Sequence, residues 1–214
     1  MAQAISHFIF HTTPGYFLQT LPFAAAAGVI YWLVKYRNDK NAPRSEKLLS
    51  VLFVCYLADL ACTVFFFSSI RYFWGFLFLN YKFENVYKVF LCQRTANFIP
   101  DFYRHIDLEV ILNVVLFLPF GVLYPLAKKV RSWKKTVLAG VICTVGVEAL
   151  QPLVGRAFDV NDIILNTLGI LLSSTLFFLC ARLVDRRNKA RKQTAPGESE
   201  NVSENVSEKS EKNT

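Results

Sequence analysis

The chain has 214 residues, of which 53% are hydrophobic and 15% aromatic, with a formal net charge of +8. Its mean hydropathy of +0.32 is high for a soluble domain, and the apolar residues come in long runs, so soluble classes are excluded and one membrane domain is expected. The Lys and Arg residues sit mostly at the ends of those runs, where they set orientation and meet anionic lipid headgroups. No separate basic module with interleaved aromatics is present, which argues against nucleic acid as a partner.

A helix crossing the hydrocarbon core needs roughly 20 apolar residues at about 1.5 Å each. Residues 1–15 form an extracytoplasmic N-terminal segment, and Tyr16 to Tyr36 is the first span. No Lys or Arg precedes Lys35, so Ala24 to Ala27 does not read as a signal-peptide cleavage region. Lys35, Arg37, Lys40, Arg44 and Lys47 then mark a cytoplasmic loop. Leu48 to Ile70 is the second span, and the aromatic run Tyr72 to Leu79 is laid in the interface. Residues 80–107, with Asn97-Phe98-Ile99-Pro100, lack helical periodicity and read as a connecting loop.

The third span runs from about Leu108 to Ala127, followed by Lys128, Lys129, Arg131, Lys134 and Lys135. Thr136 to Val154 is the fourth span, and Gly155 to Asn161 makes a tight turn into the fifth, Asp162 to Leu183. The basic residues after it, Arg186, Arg187, Lys189, Arg191 and Lys192, put the C-terminus in the cytoplasm and the N-terminus outside. The fold expected is therefore an all-α polytopic membrane helix bundle of about five transmembrane helices, with a membrane domain over residues 16–192. Residues 193–214 are polar, carry the near-repeat Ser199 to Glu208, and should form a disordered cytoplasmic tail. Five cysteines show neither metal-ligand spacing nor a disulfide framework and read as packing residues.

With this orientation Asn113, Glu148 and Asn166 lie at matching depths, each roughly one to two turns inside the outer end of its helix. Glu109 stands one turn above Asn113, Gln151 follows Glu148 by three residues, and Arg156, Asp159, Asn161 and Asp162 occupy the hairpin above. A charged group facing lipid costs about 2.5 kcal/mol or more, so these side chains should face one another or a wet cavity. Two readings follow: an outward binding or catalytic pocket, or a hydrogen-bond staple worth about 0.6 kcal/mol per contact. Three acids, Glu148, Asp159 and Asp162, against one Arg favour the pocket. Glu148 is then the catalytic candidate, with Asn113, Gln151, Arg156, Asp159, Asp162 and Asn166 as binding residues.

Asp59, in the second span, is a step in a proton path or a packing residue. Pro119 should kink the third helix, and Gly169 with Ser173 should permit close helix approach. His7 and His11 are four apart but have no apparent third ligand. No metal site is expected and no cofactor is required, although a divalent cation fits Asp159 with Asp162.

Asn97-Phe98-Ile99-Pro100, Asn113 to Gly121, Glu148-Ala149-Leu150-Gln151 and Arg156 to Gly169, in this order, resemble the VanZ-like family of bacterial membrane proteins over about residues 97–179. Asp101 stands where the family loop usually has Phe. The resemblance implies a multi-pass protein of the cell membrane, in a family named for a member associated with low-level teicoplanin resistance. The leading functional reading is an envelope protein that binds or processes an amphiphilic envelope molecule at the outer leaflet, with an effect on glycopeptide susceptibility. Its partners would be membrane lipids and a cell-wall precursor or glycopeptide. An alternative is an intramembrane enzyme using Glu148 as base on a lipid-linked substrate. A second is a small proton-coupled transporter using Asp59 and Glu148, which the apolar cytoplasmic halves of the last three spans disfavour.

Overall fold

A computed structural model describes residues 13–37, 39, 43–79, 82, 96–104 and 107–193, with side chains of 13–17, 109 and 191–193 left aside. His7, His11, Cys92 and residues 194–214 fall outside the described residues. The elements, in order, are α1 (Thr13–Tyr36), α2 (Arg44–Phe65), α3 (Phe67–Leu79), β1 (Ala96–Asn97), α4 (Leu108–Ala127), α5 (Trp133–Leu150), a 3-10 turn (Gln151–Val154), β2 (Phe158–Asp159) and α6 (Val160–Gln193). Five helices are long and apolar enough to cross a membrane. Their outer faces are unpartnered apolar surface, with Val34 83% and Ile142 64% exposed, and lipid is the solvent that such faces require.

The chain divides into two compact units, Met1–Thr175 and Leu176–Thr214. In the second, the described residues continue α6 to Gln193, past the expected end at Leu183. The apolar run stops there, but Arg186, Arg187 and Lys189 are good helix formers and carry the helix on once the span is over. Everything below concerns the first unit.

Within it, α1 packs along α2 and α2 against α4. The buried core joins Phe53, Leu60 and Val64 of α2 to Phe117 and Phe120 of α4 and Ile170 of α6. Phe120 stacks on Tyr124 at 5.2 Å between ring centroids, and Phe53 meets both rings at 5.9 Å. The Tyr56 hydroxyl donates to the Leu116 carbonyl at 3.1 Å.

Small residues set the distance between α4 and α6. A Cβ on Gly169 would stand 2.2 Å from the Val114 carbonyl oxygen, and one on Gly121 would stand 2.1 Å from Ser173 Oγ. Gly169 and Ser173 thus permit the close approach that their spacing suggests, with Gly121 as the partner on α4. Helix α4 runs through Pro119 and Pro125 without losing its helical assignment.

The second span departs from expectation. It ends at Phe65, not Ile70, because Phe66 leaves helical geometry at φ −118, ψ 7 while its amide still donates to Cys62 O. The aromatic segment is a helix of its own, α3, packed on α1. Trp74 Nε1 donates to the Gln19 carbonyl at 3.0 Å, and Phe23 meets Phe73 and Trp74 edge to face at 6.1 and 6.2 Å. Aromatic side chains placed against a neighbouring helix gain more contact than rings spread along an interface.

A strand pair adds to the otherwise helical architecture: β1 runs parallel to β2, with Ala96 opposite Phe158 and Asn97 opposite Asp159. Within the segment expected to be a connecting loop, Ala96–Asn97 is therefore tied to the α5–α6 hairpin.

Candidate functional site

Local sequence places each side chain. Pro152 cannot donate a backbone hydrogen bond, so α5 stops at Leu150 and the chain tightens into the 3-10 turn. Gly155 follows in the left-handed region at φ 81, where a side chain would be strained. The Arg156 amide donates back to the Gln151 carbonyl at 3.2 Å. This reversal holds Gln151 three residues beyond Glu148, and Gln151 Nε2 donates to Glu148 Oε1 at 3.0 Å.

The start of α6 is set from the side of β2. Asp159 Oδ1 accepts from the Asn161 amide at 2.8 Å, as an N-cap carboxylate does, and from Asn97 Nδ2 at 3.2 Å. The Asp159 amide reaches Glu148 Oε2 at 3.4 Å. Asp101 and Asn161 bond reciprocally, the Asp101 amide to Asn161 Oδ1 at 3.0 Å and Asn161 Nδ2 to Asp101 Oδ1 at 2.7 Å. Asp101 thus has a defined place, as the partner of Asn161. Asp162, in the first turn of α6 where the helix dipole favours an acid, accepts from Asn113 Nδ2 on α4.

These contacts surround a cavity of about 230 Å³ whose lining includes Asn113, Glu148, Gln151, Arg156, Asp162 and Asn166. All but one of the candidate residues read from the sequence meet there. The exception, Asp159, lines a neighbouring cavity of about 400 Å³ with Asp101, Arg104, Asp107, Asn161 and Asp162. Glu148 is fully buried, and Gln151 and Asn166 are each 3% exposed. No ion pair among the described residues involves Glu148. Arg156, the exposed cation of the cavity wall, donates instead to the Val64 carbonyl at 3.5 Å, one of the carbonyls left open at the end of α2.

Two buried oxygens of the lining, Asn166 Oδ1 and Thr63 Oγ1, have no hydrogen-bond partner among the described residues. Buried polar atoms are nearly always satisfied, so these two oxygens could accept a hydrogen bond from a group in the cavity. Among the described residues, no group of three or more His, Cys, Asp or Glu is placed to hold a metal ion.

The sequence reading drew the site from the last three spans alone and missed the wall made by Thr63, Val64 and Phe67 at the junction of α2 and α3. Thr63 carried a weak signal, a hydroxyl near the end of an apolar run. It also missed Asn97 and Asp101 as the residues that fix the start of α6. Glu109 lies outside the described side chains.

Buried amides and a buried carboxylate drawn from spanning helices around one small cavity define a multi-pass membrane protein with a polar pocket inside its helix bundle. The model of the family described as VanZ/LLP1 matches residues 53–181, more than half of the chain, and the protein belongs to that family. The matched region begins within α2, so it includes the pocket wall that the sequence motifs left out. No curated protein and no solved structure matches the chain.

Proposed function

We propose that the cavity binds the polar head of an amphiphilic envelope molecule at the outer leaflet, and that its occupancy underlies an effect on glycopeptide susceptibility. The observation that carries this reading is the fully buried Glu148, which has no ion pair among the described residues, beside a cavity that retains two unsatisfied oxygens. A helix staple would have closed on itself and satisfied its own polar groups. Pockets for drug-sized ligands occupy about 300–1,000 Å³, so a space of about 230 Å³ suits a headgroup and is too small to enclose a glycopeptide.

A catalytic reading rests on the same residue. Both Glu148 oxygens are oriented by donors, Gln151 Nε2 and the Asp159 amide, as a base acting on a lipid-linked substrate requires.

The test is lipid-resolved mass spectrometry of the purified protein beside Glu148→Gln. Binding predicts a co-purifying amphiphile that is lost in the variant while the protein remains folded. Catalysis predicts that the variant retains the molecule unprocessed. An identical lipid profile in both proteins, with unchanged antibiotic susceptibility, would end the proposal.

A further inference from the structure

We infer that the pocket selects a phosphate ester bearing a primary ammonium, an aminoethyl phosphate head, with its phosphate at Arg156 and its ammonium among Glu148, Asn166 and Thr63. This assignment rests on the headgroup reading above and specifies its chemistry.

Three charged residues line the cavity, Arg156, Glu148 and Asp162, so its acids outnumber its cation. Arg156 is exposed, whereas Glu148 has no exposure at all, and both line the same space. A carboxylate this deep needs a counter-charge to stay ionised. Arg156 supplies no ion pair to it and bonds to a backbone carbonyl at 3.5 Å. The cation that Glu148 lacks is therefore to be brought by the ligand, and the anion that suits Arg156 is to be left nearer the surface. A head with positive charge inside and phosphate outside fits both ends.

Each unmet group can accept a hydrogen bond. Asn166 Oδ1 and Thr63 Oγ1 lack partners, and Glu148 Oε2 takes only a long contact of 3.4 Å from the Asp159 amide. A primary ammonium carries three donors and no acceptor, which matches three acceptors on three different elements, α2, α5 and α6. A trimethylated amine has no N–H to give, and a glycerol head brings no positive charge. The first would leave the acceptors without a donor, and the second would leave Glu148 without a counter-ion.

The free ester and the lipid share this chemistry, and the experiment separates them. Native mass spectrometry of the full chain in detergent is titrated with short-chain phosphatidylethanolamine, phosphatidylcholine and phosphatidylglycerol of identical acyl chains, and with phosphoethanolamine. The ethanolamine lipid should bind about tenfold or more tightly than the other two, the size expected for a charge-assisted hydrogen bond. Glu148→Gln should abolish that preference, and Arg156→Gln, a change at an exposed position, should weaken binding of the ethanolamine lipid by about tenfold. Phosphoethanolamine binding as tightly as the lipid supports the same assignment with a soluble source. Equal binding of the three lipids, lost in both variants, overturns the ammonium assignment and leaves the headgroup pocket standing. Binding indifferent to both substitutions overturns the two together.

Discussion

Asp59 and Glu148 are both acidic residues of spanning helices, and their surroundings differ. Asp59 on α2 is half-buried and accepts a 2.6 Å hydrogen bond from the Thr20 hydroxyl of α1. It lines neither of the two cavities described above. Glu148 is buried completely, meets neutral donors only, and borders open space. The difference teaches that a carboxylate among membrane helices becomes a staple when the adjacent helix fits a donor against it. It becomes a site when the helices around it leave a volume that their own side chains do not fill.

Substitution should separate the two regions. The largest effect on stability belongs to the helix seam beneath the pocket. Gly169→Ala pushes a methyl group into the Val114 carbonyl 2.2 Å away, so α4 and α6 must move apart at a cost of about 1–3 kcal/mol. Denaturant unfolding in micelles would register it, and an unchanged midpoint would mean that the two helices are not in fixed contact. Glu148→Gln comes next and acts on ligand, with about a tenfold or greater loss of the bound amphiphile and little change in unfolding.

Asp59→Asn should do the reverse. It weakens the Thr20 contact by about 0.6 kcal/mol and leaves the amphiphile bound; loss of the amphiphile in this variant would contradict the contrast drawn above. The smallest effect is expected at Lys129→Ala. Its ion pair with Glu46, at 2.7 Å, joins side chains that are 68% and 30% exposed, and such pairs contribute about 1 kcal/mol or less. A clear drop in the unfolding midpoint would show that this loop contact matters more than its exposure suggests.

Much of the molecule could be read from one-dimensional pattern. The span Leu108 to Ala127 agrees with α4 at both ends, because an apolar run of bilayer length between an acidic residue and a basic cluster admits few alternatives. The convergence of Asn113, Glu148 and Asn166 followed from counting residues down three helices from a common side. The break at Phe66 was not legible: Phe65, Phe66 and Phe67 are equally apolar, and the helix that follows it is held by Phe23 and the Gln19 carbonyl of α1, far away in sequence. Nor was the tie between Asn97 and Asp159, since a two-residue strand has no periodicity to detect.

The sequence alone thus determined that there are five spans, the family and which polar residues enter the apolar layer, because the cost of burying charge in hydrocarbon limits where such residues can stand. Only the tertiary structure decided that Asp59 is matched by Thr20 while Glu148 faces a cavity, and that α2 closes the wall of that cavity with Thr63. Whether a buried polar atom is satisfied depends on distances of about an ångström between side chains far apart in the chain, and no local pattern encodes them.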